Sequence, residues 1–177
     1  IIILIIYYMG RSRCLLPTKE LDDLAKKFPE ETPKGIRILV GLWQDENNLK
    51  DNEYPSVEEL ASYIKKVRNT EKDYIVSTNI VRFANGEGKV VLNESIRDKN
   101  VYILADVGNH SCTYKLYGYE NHKSPDDHFQ DIKRVISAIK GHASSVNIVM
   151  PLLYSSRQHK RKGRESLDCA VALQELE

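Results

Sequence analysis

The sequence has no marked excess of charge of either sign. Its 177 residues include 26 Lys and Arg against 25 Asp and Glu, a formal net charge of +1 at pH 7. A protein whose main task is to bind nucleic acid usually carries a clear basic excess, so the balance argues against such a partner. The sequence is also 41% hydrophobic, which excludes disorder as the dominant state.

Cysteine is scarce, with three widely spaced residues at positions 14, 112 and 169 and no C-x-x-C pair. Three cysteines so far apart do not form the disulfide framework of a small secreted protein. We therefore expect a cytoplasmic location, where thiols stay reduced. Long apolar runs are missing too. The opening run, residues 1–9, has about half of the roughly 20 residues that cross a bilayer. It predicts a buried β-strand and no membrane association.

Several catalytic motifs are absent, namely G-x-x-x-x-G-K-[ST], G-x-S-x-G and H-E-x-x-H. His110 and Cys112, with Asp106 nearby, are potential metal ligands, but no second ligand pair follows at a zinc-site spacing. Asp126 and Asp127 open a predicted helix, whose dipole favours acidic residues there. The sequence therefore predicts no metal site among these residues.

Apolar patterning predicts alternating strands and helices. Strands are predicted at 36–43, 74–83, 89–92, 101–105 and 146–150. Helices are predicted at 18–28, at 56–67 after an S-x-x-E capping box, from 125 to about 143, and at 165–176. This order predicts an α/β fold with a mainly parallel sheet flanked by helices. Ligands of such sheets usually bind beyond the carboxyl ends of the strands.

Residues 82–87 (RFANGE), here called the 82–87 turn, form the first candidate site. The ring of Phe83 can stack on a base, while Asn85 and Glu87 can accept hydrogen bonds from an exocyclic amine. The alternative is an ordinary hairpin turn whose Phe83 packs into the core. Composition alone leaves both interpretations open.

Residues 154–165 (YSSRQHKRKGRE), here called the 154–165 segment, follow the predicted strand 146–150 and form the second candidate site. Basic side chains cluster in it at Arg157, His159, Lys160, Arg161, Lys162 and Arg164. Guanidinium and ammonium groups suit a polyphosphate, and we expect the segment to be exposed. A solvated basic loop and a nucleic-acid patch are the alternatives.

In these two regions the sequence resembles the ribose-phosphate pyrophosphokinase family, also called phosphoribosyl pyrophosphate synthetases. The family hallmark R-F-x-D-G-E, followed by E-S-[VI]-R-G-K-[DN]-V-[FY]-I, is similar to RFANGEGKVVLNESIRDKNVYILA at 82–105. A second hallmark joins D-A-x-[KR]-x-A-S, a strand, P-Y-x-x-Y-x-R-Q-D-[RK]-K and R-x-P-I. It is similar to SAIKGHASSVNIVMPLLYSSRQHKRKGRESL at 137–167.

The resemblance implies that residues 1–177 are a single phosphoribosyltransferase-like amino-terminal domain. The family's enzymes transfer diphosphate from ATP to ribose 5-phosphate with Mg²⁺, and they assemble into homo-oligomers. The family's catalytic histidine, its flexible loop with Lys and Arg, and its T-G-G-T loop belong to a carboxyl-terminal domain beyond this sequence. No catalytic residue is therefore assigned, and the 177-residue chain alone is not expected to be active.

The resemblance also implies roles for individual residues. Phe83 would stack on adenine while Asn85 and Glu87 form hydrogen bonds with the edge of the base, in a site shared with a neighbouring subunit. Arg157 and Gln158 would hold ATP in their own subunit. Further phosphate contacts would come from Lys160, Arg161 and Arg164.

The sequence departs from the family pattern in ways that keep a second function open. Asn85 and His159 each replace an Asp of the family motifs, Ser166-Leu167 replaces the P-I pair, and residues 107–125 look like an insertion. These departures favour a non-catalytic regulatory or assembly subunit as the alternative to the enzyme. Unrelated nucleotide or nucleic-acid binding is a third interpretation.

Overall fold

The computed structural model describes residues 2–5, 36–42, 65–66, 69, 71, 74–139, 141–150 and 152–177, the first two ranges through their backbone alone. The predicted helix at 18–28 lies outside the described residues. So does most of the predicted helix at 56–67, of which Lys65 and Lys66 are described and are helical.

The described residues contain the following strands: β1 (Ile2–Ile5), β2 (Ile36–Leu42), β3 (Ile75–Val76), β4 (Thr78–Arg82), β5 (Gly88–Leu92), β6 (Asn100–Ala105), β7 (Thr113–Leu116), β8 (Tyr119–His122) and β9 (Ser145–Met150). The described helices are α1 (Pro125–Ile139), α2 (Asp168–Leu176) and a 3₁₀ turn at Ser156–Gln158. No described helix combines the length and the apolar content that a membrane crossing requires.

Five strands form a wholly parallel sheet in the order β1, β9, β6, β2, β3. Strand β9 lies between β1 and β6 and carries Ile148 and Met150, both fully buried. A continuous apolar run is expected for a strand that is covered on both faces. The predicted parallel α/β fold, with 146–150 inside the sheet, is therefore confirmed.

Two antiparallel hairpins are added to this sheet. The predicted stretch 74–83 divides at Ser77, since β3 pairs with β2 while β4 pairs with β5. The predicted turn between β4 and β5 is confirmed, and Gly86 adopts φ 88° there, a conformation that favours glycine. The second hairpin, β7 and β8, lies within the predicted insertion 107–125 and was not predicted from the sequence.

Helix α1 packs its apolar stripe into the core. Its buried residues include Ile132, Val135 and Ile139. The predicted extension to about 143 is wrong, because the helix ends at Ile139 and Gly141 takes φ 80°, a conformation that commonly ends helices. Helix α2 starts at Asp168 instead of 165.

Candidate functional site

The 82–87 turn is a closed hairpin turn with an exposed aromatic ring. The amide of Phe83 donates to the carbonyl of Glu87 at 2.8 Å, and the amide of Gly86 donates to the carbonyl of Phe83 at 2.9 Å. The side chain of Phe83 is 48% exposed, and Asn85 and Glu87 are exposed as well. The alternative in which Phe83 packs into the core is therefore wrong.

Asn85 has a structural part in this turn. Its Oδ1 accepts a hydrogen bond from the amide of Glu87 at 3.2 Å. An aspartate could accept the same bond, since both residues favour such turns. The replacement of the family's Asp by Asn85 therefore preserves the local geometry while removing a charge.

Arg82 anchors the turn to helix α1. Its Nη1 donates to the carbonyl of Gly86 at 3.0 Å, and its Nη2 donates to Asp131 Oδ2 at 2.7 Å. The guanidinium also lies 5.0 Å from the centroid of the Tyr114 ring, within the range of a cation–π contact. Three elements thus fix the orientation of the residue that precedes Phe83.

Asp131 is the centre of this attachment. Its side chain is fully buried, and its oxygens form ion pairs with Arg82 at 2.7 Å, Lys123 at 3.2 Å and Arg134 at 2.7 Å. A buried carboxylate is stable only when it is paired and hydrogen-bonded. Gly88 leaves room for the arrangement, since a Cβ there would lie 2.6 Å from Arg134 Nη1. One carboxylate therefore joins β4, the end of the β7–β8 hairpin and α1.

The 154–165 segment is attached to the first turn of the same helix. The hydroxyl of Tyr154 donates to Asp126 Oδ1 at 2.7 Å, and its ring stacks on Phe129 at 4.2 Å between centroids. Partial burial and the bond to Asp126 raise the pKa of Tyr154. The 3₁₀ turn that follows presents Arg157 and Gln158, both exposed as predicted.

His159 closes this 3₁₀ turn. Its Nδ1 lies 2.7 Å from the carbonyl of Ser156, and because a carbonyl only accepts, Nδ1 is the donor. The remaining basic side chains are exposed, and none forms an ion pair with a carboxylate of the described residues. They are Arg157, Lys160, Arg161, Lys162 and Arg164. Their charges face solvent, where an anionic ligand can reach them.

The two candidate segments contact different residues in the first turns of α1. Arg82 forms ion pairs with Asp127, at 3.6 Å, and with Asp131, at 2.7 Å. The Tyr154 hydroxyl instead donates a hydrogen bond to Asp126. Within the described residues, no hydrogen bond or ion pair joins the 82–87 turn directly to the 154–165 segment. Each is held independently on a common support.

A buried polar pair at the end of β6 was not identified as a site from the sequence. Asp106 Oδ1 accepts the amide of Gly108 at 2.9 Å, and burial raises the pKa of the Asp106 carboxyl. His128 is fully buried, and its Nε2 donates to the carbonyl of Asn109 at 2.7 Å. Its Nδ1 has no partner, and burial lowers the pKa of the imidazole. The position of Asp106, directly after an apolar strand, was the available signal.

His110 has a packing contact at the base of the β7–β8 hairpin. Its ring stacks on His122 at 4.3 Å between centroids, and His122 Nδ1 lies 2.7 Å from the carbonyl of His110. In the part of the chain that the structure describes, no three His, Cys, Asp or Glu side chains group as metal ligands.

Comparisons with known proteins identify the family of the chain. The model of the N-terminal domain of ribose phosphate pyrophosphokinase matches residues 54–177. Ribose-phosphate pyrophosphokinase 1 of Schizosaccharomyces pombe is 34% identical over 91 residues, which are 50% of this chain and 19% of that protein. Since the family model matches well over half of the chain, the chain belongs to this family of ribose-phosphate pyrophosphokinase N-terminal domains.

A solved structure supports the fold. Phosphoribosylpyrophosphate synthetase from Mycobacterium smegmatis matches with a TM-score of 0.54 at 21% identity, over 80% of this chain and 38% of that one. The chain thus spans about a fifth of the curated relative and less than two fifths of the solved one. The family model begins at residue 54, so the single domain over 1–177 remains a prediction.

The Asp131 cluster generates a prediction about stability. The Asp131→Asn change leaves Arg82, Lys123 and Arg134 without their shared counter-charge. We expect it to lower the free energy of unfolding by about 3 to 5 kcal/mol, the usual cost of breaking a buried ion pair from one side. Urea denaturation of the purified protein measures the loss.

The matched control is Glu175→Gln. Glu175 pairs with Lys133 at 2.9 Å, and both side chains are substantially exposed, so the loss should stay below about 1 kcal/mol. Similar losses in the two variants would show that the Asp131 cluster has no special part in holding the fold.

His128 generates a prediction about pH. Because its pKa is lowered in the folded protein, the unfolded chain binds a proton below about pH 6.5 that the folded protein does not. Stability should therefore fall as the pH drops from 7.5 to 5.5, by up to about 1.4 kcal/mol per pH unit for one proton. Urea denaturation at three pH values measures the slope.

The His128→Gln variant separates this effect from its neighbours. Asp106, Lys123 and Asp131 act on the imidazole in the folded protein and remain in the variant. Asp106, whose pKa is raised, acts in the opposite direction, since its stabilisation is lost as the pH rises above about 3.8. An unchanged slope between pH 7.5 and 5.5 in His128→Gln would contradict the assignment to His128.

Proposed function

We propose that this domain binds ATP within a ribose-phosphate diphosphokinase, which makes phosphoribosyl pyrophosphate from ATP and ribose 5-phosphate. One observation carries the proposal. An exposed aromatic turn and an exposed basic segment are both fixed to the first turns of α1. A nucleotide presents the complementary pair of groups, a flat base and a chain of phosphates, which would bind to these two surfaces on neighbouring subunits.

The base would bind at the 82–87 turn. Phe83 offers an exposed ring on a turn closed by main-chain hydrogen bonds, so little ordering is needed when a base stacks on it. Glu87 can accept hydrogen bonds from the exocyclic amine of adenine. Asn85 Oδ1 already accepts the amide of Glu87, so its second lone pair and its NH₂ group remain for the adenine edge.

The phosphates would bind at the 154–165 segment. Arg157 offers a planar fork that suits phosphate oxygens, and Gln158 adds a neutral donor. Lys160, Arg161 and Arg164 would contribute further positive charge. None of these cations is paired with a described carboxylate, so no ion pair with those residues has to break before a phosphate binds.

The reaction would be an in-line transfer. The 1-hydroxyl oxygen of ribose 5-phosphate attacks the β-phosphorus of ATP and loses its proton to water, the bond between the β-phosphorus and the α–β bridging oxygen breaks, and AMP leaves. Positioning and charge neutralisation supply most of the rate in such transfers. The contribution of this domain would be to hold the adenine and the phosphates, and we assign no catalytic residue to it.

Mg²⁺ would be a cofactor of the whole enzyme, as in the family that the chain resembles. The described residues, however, do not by themselves form a metal site. Mg²⁺ keeps several waters and usually binds through one or two carboxylates together with substrate phosphates.

A non-catalytic regulatory or assembly subunit is the second candidate. Asn85 lacks the charge of the family's Asp, and His159 is committed to the carbonyl of Ser156. Both departures would weaken ligand binding without altering the fold. A cytoplasmic location fits either function and remains a prediction.

ATP binding provides the test of the proposal. We expect Phe83→Ala to weaken ATP and AMP alike by about 1 to 3 kcal/mol, the range for base stacking on an aromatic ring. Arg157→Ala should weaken ATP by about 1.5 to 3 kcal/mol and AMP by less, because AMP lacks the β- and γ-phosphates. Isothermal titration of the assembled full-length protein measures both.

The control is Lys133→Ala, which removes a positive charge that pairs with Glu175 and contacts neither segment, so both affinities should stay unchanged. If the wild-type full-length protein had no measurable affinity for ATP, the enzyme would be excluded in favour of the assembly subunit. Equal losses of AMP and ATP in Arg157→Ala would show that another residue holds the terminal phosphates.

Self-association is a further prediction. The 82–87 turn would complete the ATP site of a neighbouring subunit, and the separation of the two segments on α1 is compatible with that arrangement. Light scattering at micromolar concentration should therefore give a mass above that of the monomer. Monomers alone under those conditions would contradict the shared site.

A further inference from the structure

The β7–β8 hairpin contacts the 82–87 turn, although it lies in a segment that departs from the family pattern. The amide of Tyr117 donates to the carbonyl of Ala84 at 2.7 Å. Leu116 fills the space beside Gly86, since a Cβ on Gly86 would lie 3.0 Å from Leu116 Cδ1. The tip of one hairpin thus rests on the tip of the other.

The base of the hairpin reaches the same turn through Arg82. The Tyr114 ring lies under the Arg82 guanidinium at 5.0 Å. Lys123, the residue that follows β8, binds Asp131 Oδ2 at 3.2 Å, the oxygen that also receives Arg82 Nη2. Contacts at both ends of the hairpin therefore converge on one side of the 82–87 turn.

Tyr117 is held in an unfavourable conformation to make its contact. Its φ is 48° and that of Gly118 is 89°, the pattern of a two-residue hairpin turn that normally takes Asn and Gly. An aromatic residue in this region is strained and persists only where its surroundings fix it. The hydrogen bond from the Tyr117 amide to the Ala84 carbonyl is such a constraint. Tyr117 is otherwise 71% exposed.

We propose that the β7–β8 hairpin is a positioning element that holds the 82–87 turn in the shape that binds the base of a nucleotide. Leu116 and Tyr114 are its positioning residues. The inference rests on the proposed function, because it concerns how the base site is kept in place. It predicts that weakening the hairpin contact reduces affinity for the base and leaves the phosphate contacts intact.

The test uses Leu116→Ala in the full-length protein, with AMP and ATP as the titrated ligands. Loss of the contact with Gly86 should raise the Kd of both nucleotides by the same factor, about threefold to thirtyfold, as expected when a coupled residue is altered. Leu116→Met keeps a side chain of similar volume at this position and should restore the wild-type Kd. Tyr114→Leu provides a second variant should Leu116→Ala fail to fold.

The matched control is Tyr119→Ala. Tyr119 lies just past the tip of the same hairpin and is 77% exposed, so its removal should leave both Kd values unchanged. Wild-type Kd values in Leu116→Ala and Tyr114→Leu would overturn the proposal. So would a loss for ATP alone, or a loss in Leu116→Met equal to that in Leu116→Ala.

Phe83→Ala separates this inference from the proposed function. If Phe83→Ala leaves the affinity for AMP unchanged, the turn is no base site and the proposed function fails with it. If Phe83→Ala weakens AMP while the hairpin variants bind normally, the base site stands and only the positioning role is overturned.

Discussion

The buried carboxylate of Asp131 is the constraint on which the candidate site depends. It compensates three positive groups, those of Arg82, Lys123 and Arg134, which come from different parts of the chain. The carboxylate is the member whose loss should cost most, because it would leave three neighbouring and largely buried positive charges without their shared counter-charge. The orientation of the 82–87 turn is therefore tied to the packing of α1 and not to the turn residues alone.

The same helix also carries the second segment, through Asp126 and Phe129. The chain presents a candidate base site and a candidate phosphate site, each attached to α1, which in the proposed oligomer would serve two different ATP molecules. This arrangement suits a reaction in which positioning supplies most of the rate. It also suits a non-catalytic subunit that binds a nucleotide and assembles with other subunits. Asn85 and His159, which depart from the family motifs, favour that alternative.

Much of the fold could be predicted because its elements carry strong local signals. The run at 146–150 and the turn at 82–87 were placed correctly, since continuous apolar residues and Asn-Gly are specific patterns. Asp131 could not be predicted as a buried anchor, because it is a polar residue of an amphipathic helix and its partner Arg82 lies 49 positions away along the chain. The β7–β8 hairpin was missed because its turn uses a strained Tyr117 where sequence rules expect Asn or Gly.

The most direct test of the account is an experimental structure of the full-length protein with a non-hydrolysable ATP analogue. We predict that the adenine stacks on Phe83 of one subunit while the phosphates contact Arg157 of another, with the Arg82–Asp131 contact intact. An analogue bound away from both segments, or an adenine that leaves Phe83 in solvent, would contradict the assignment of the 82–87 turn as the base site.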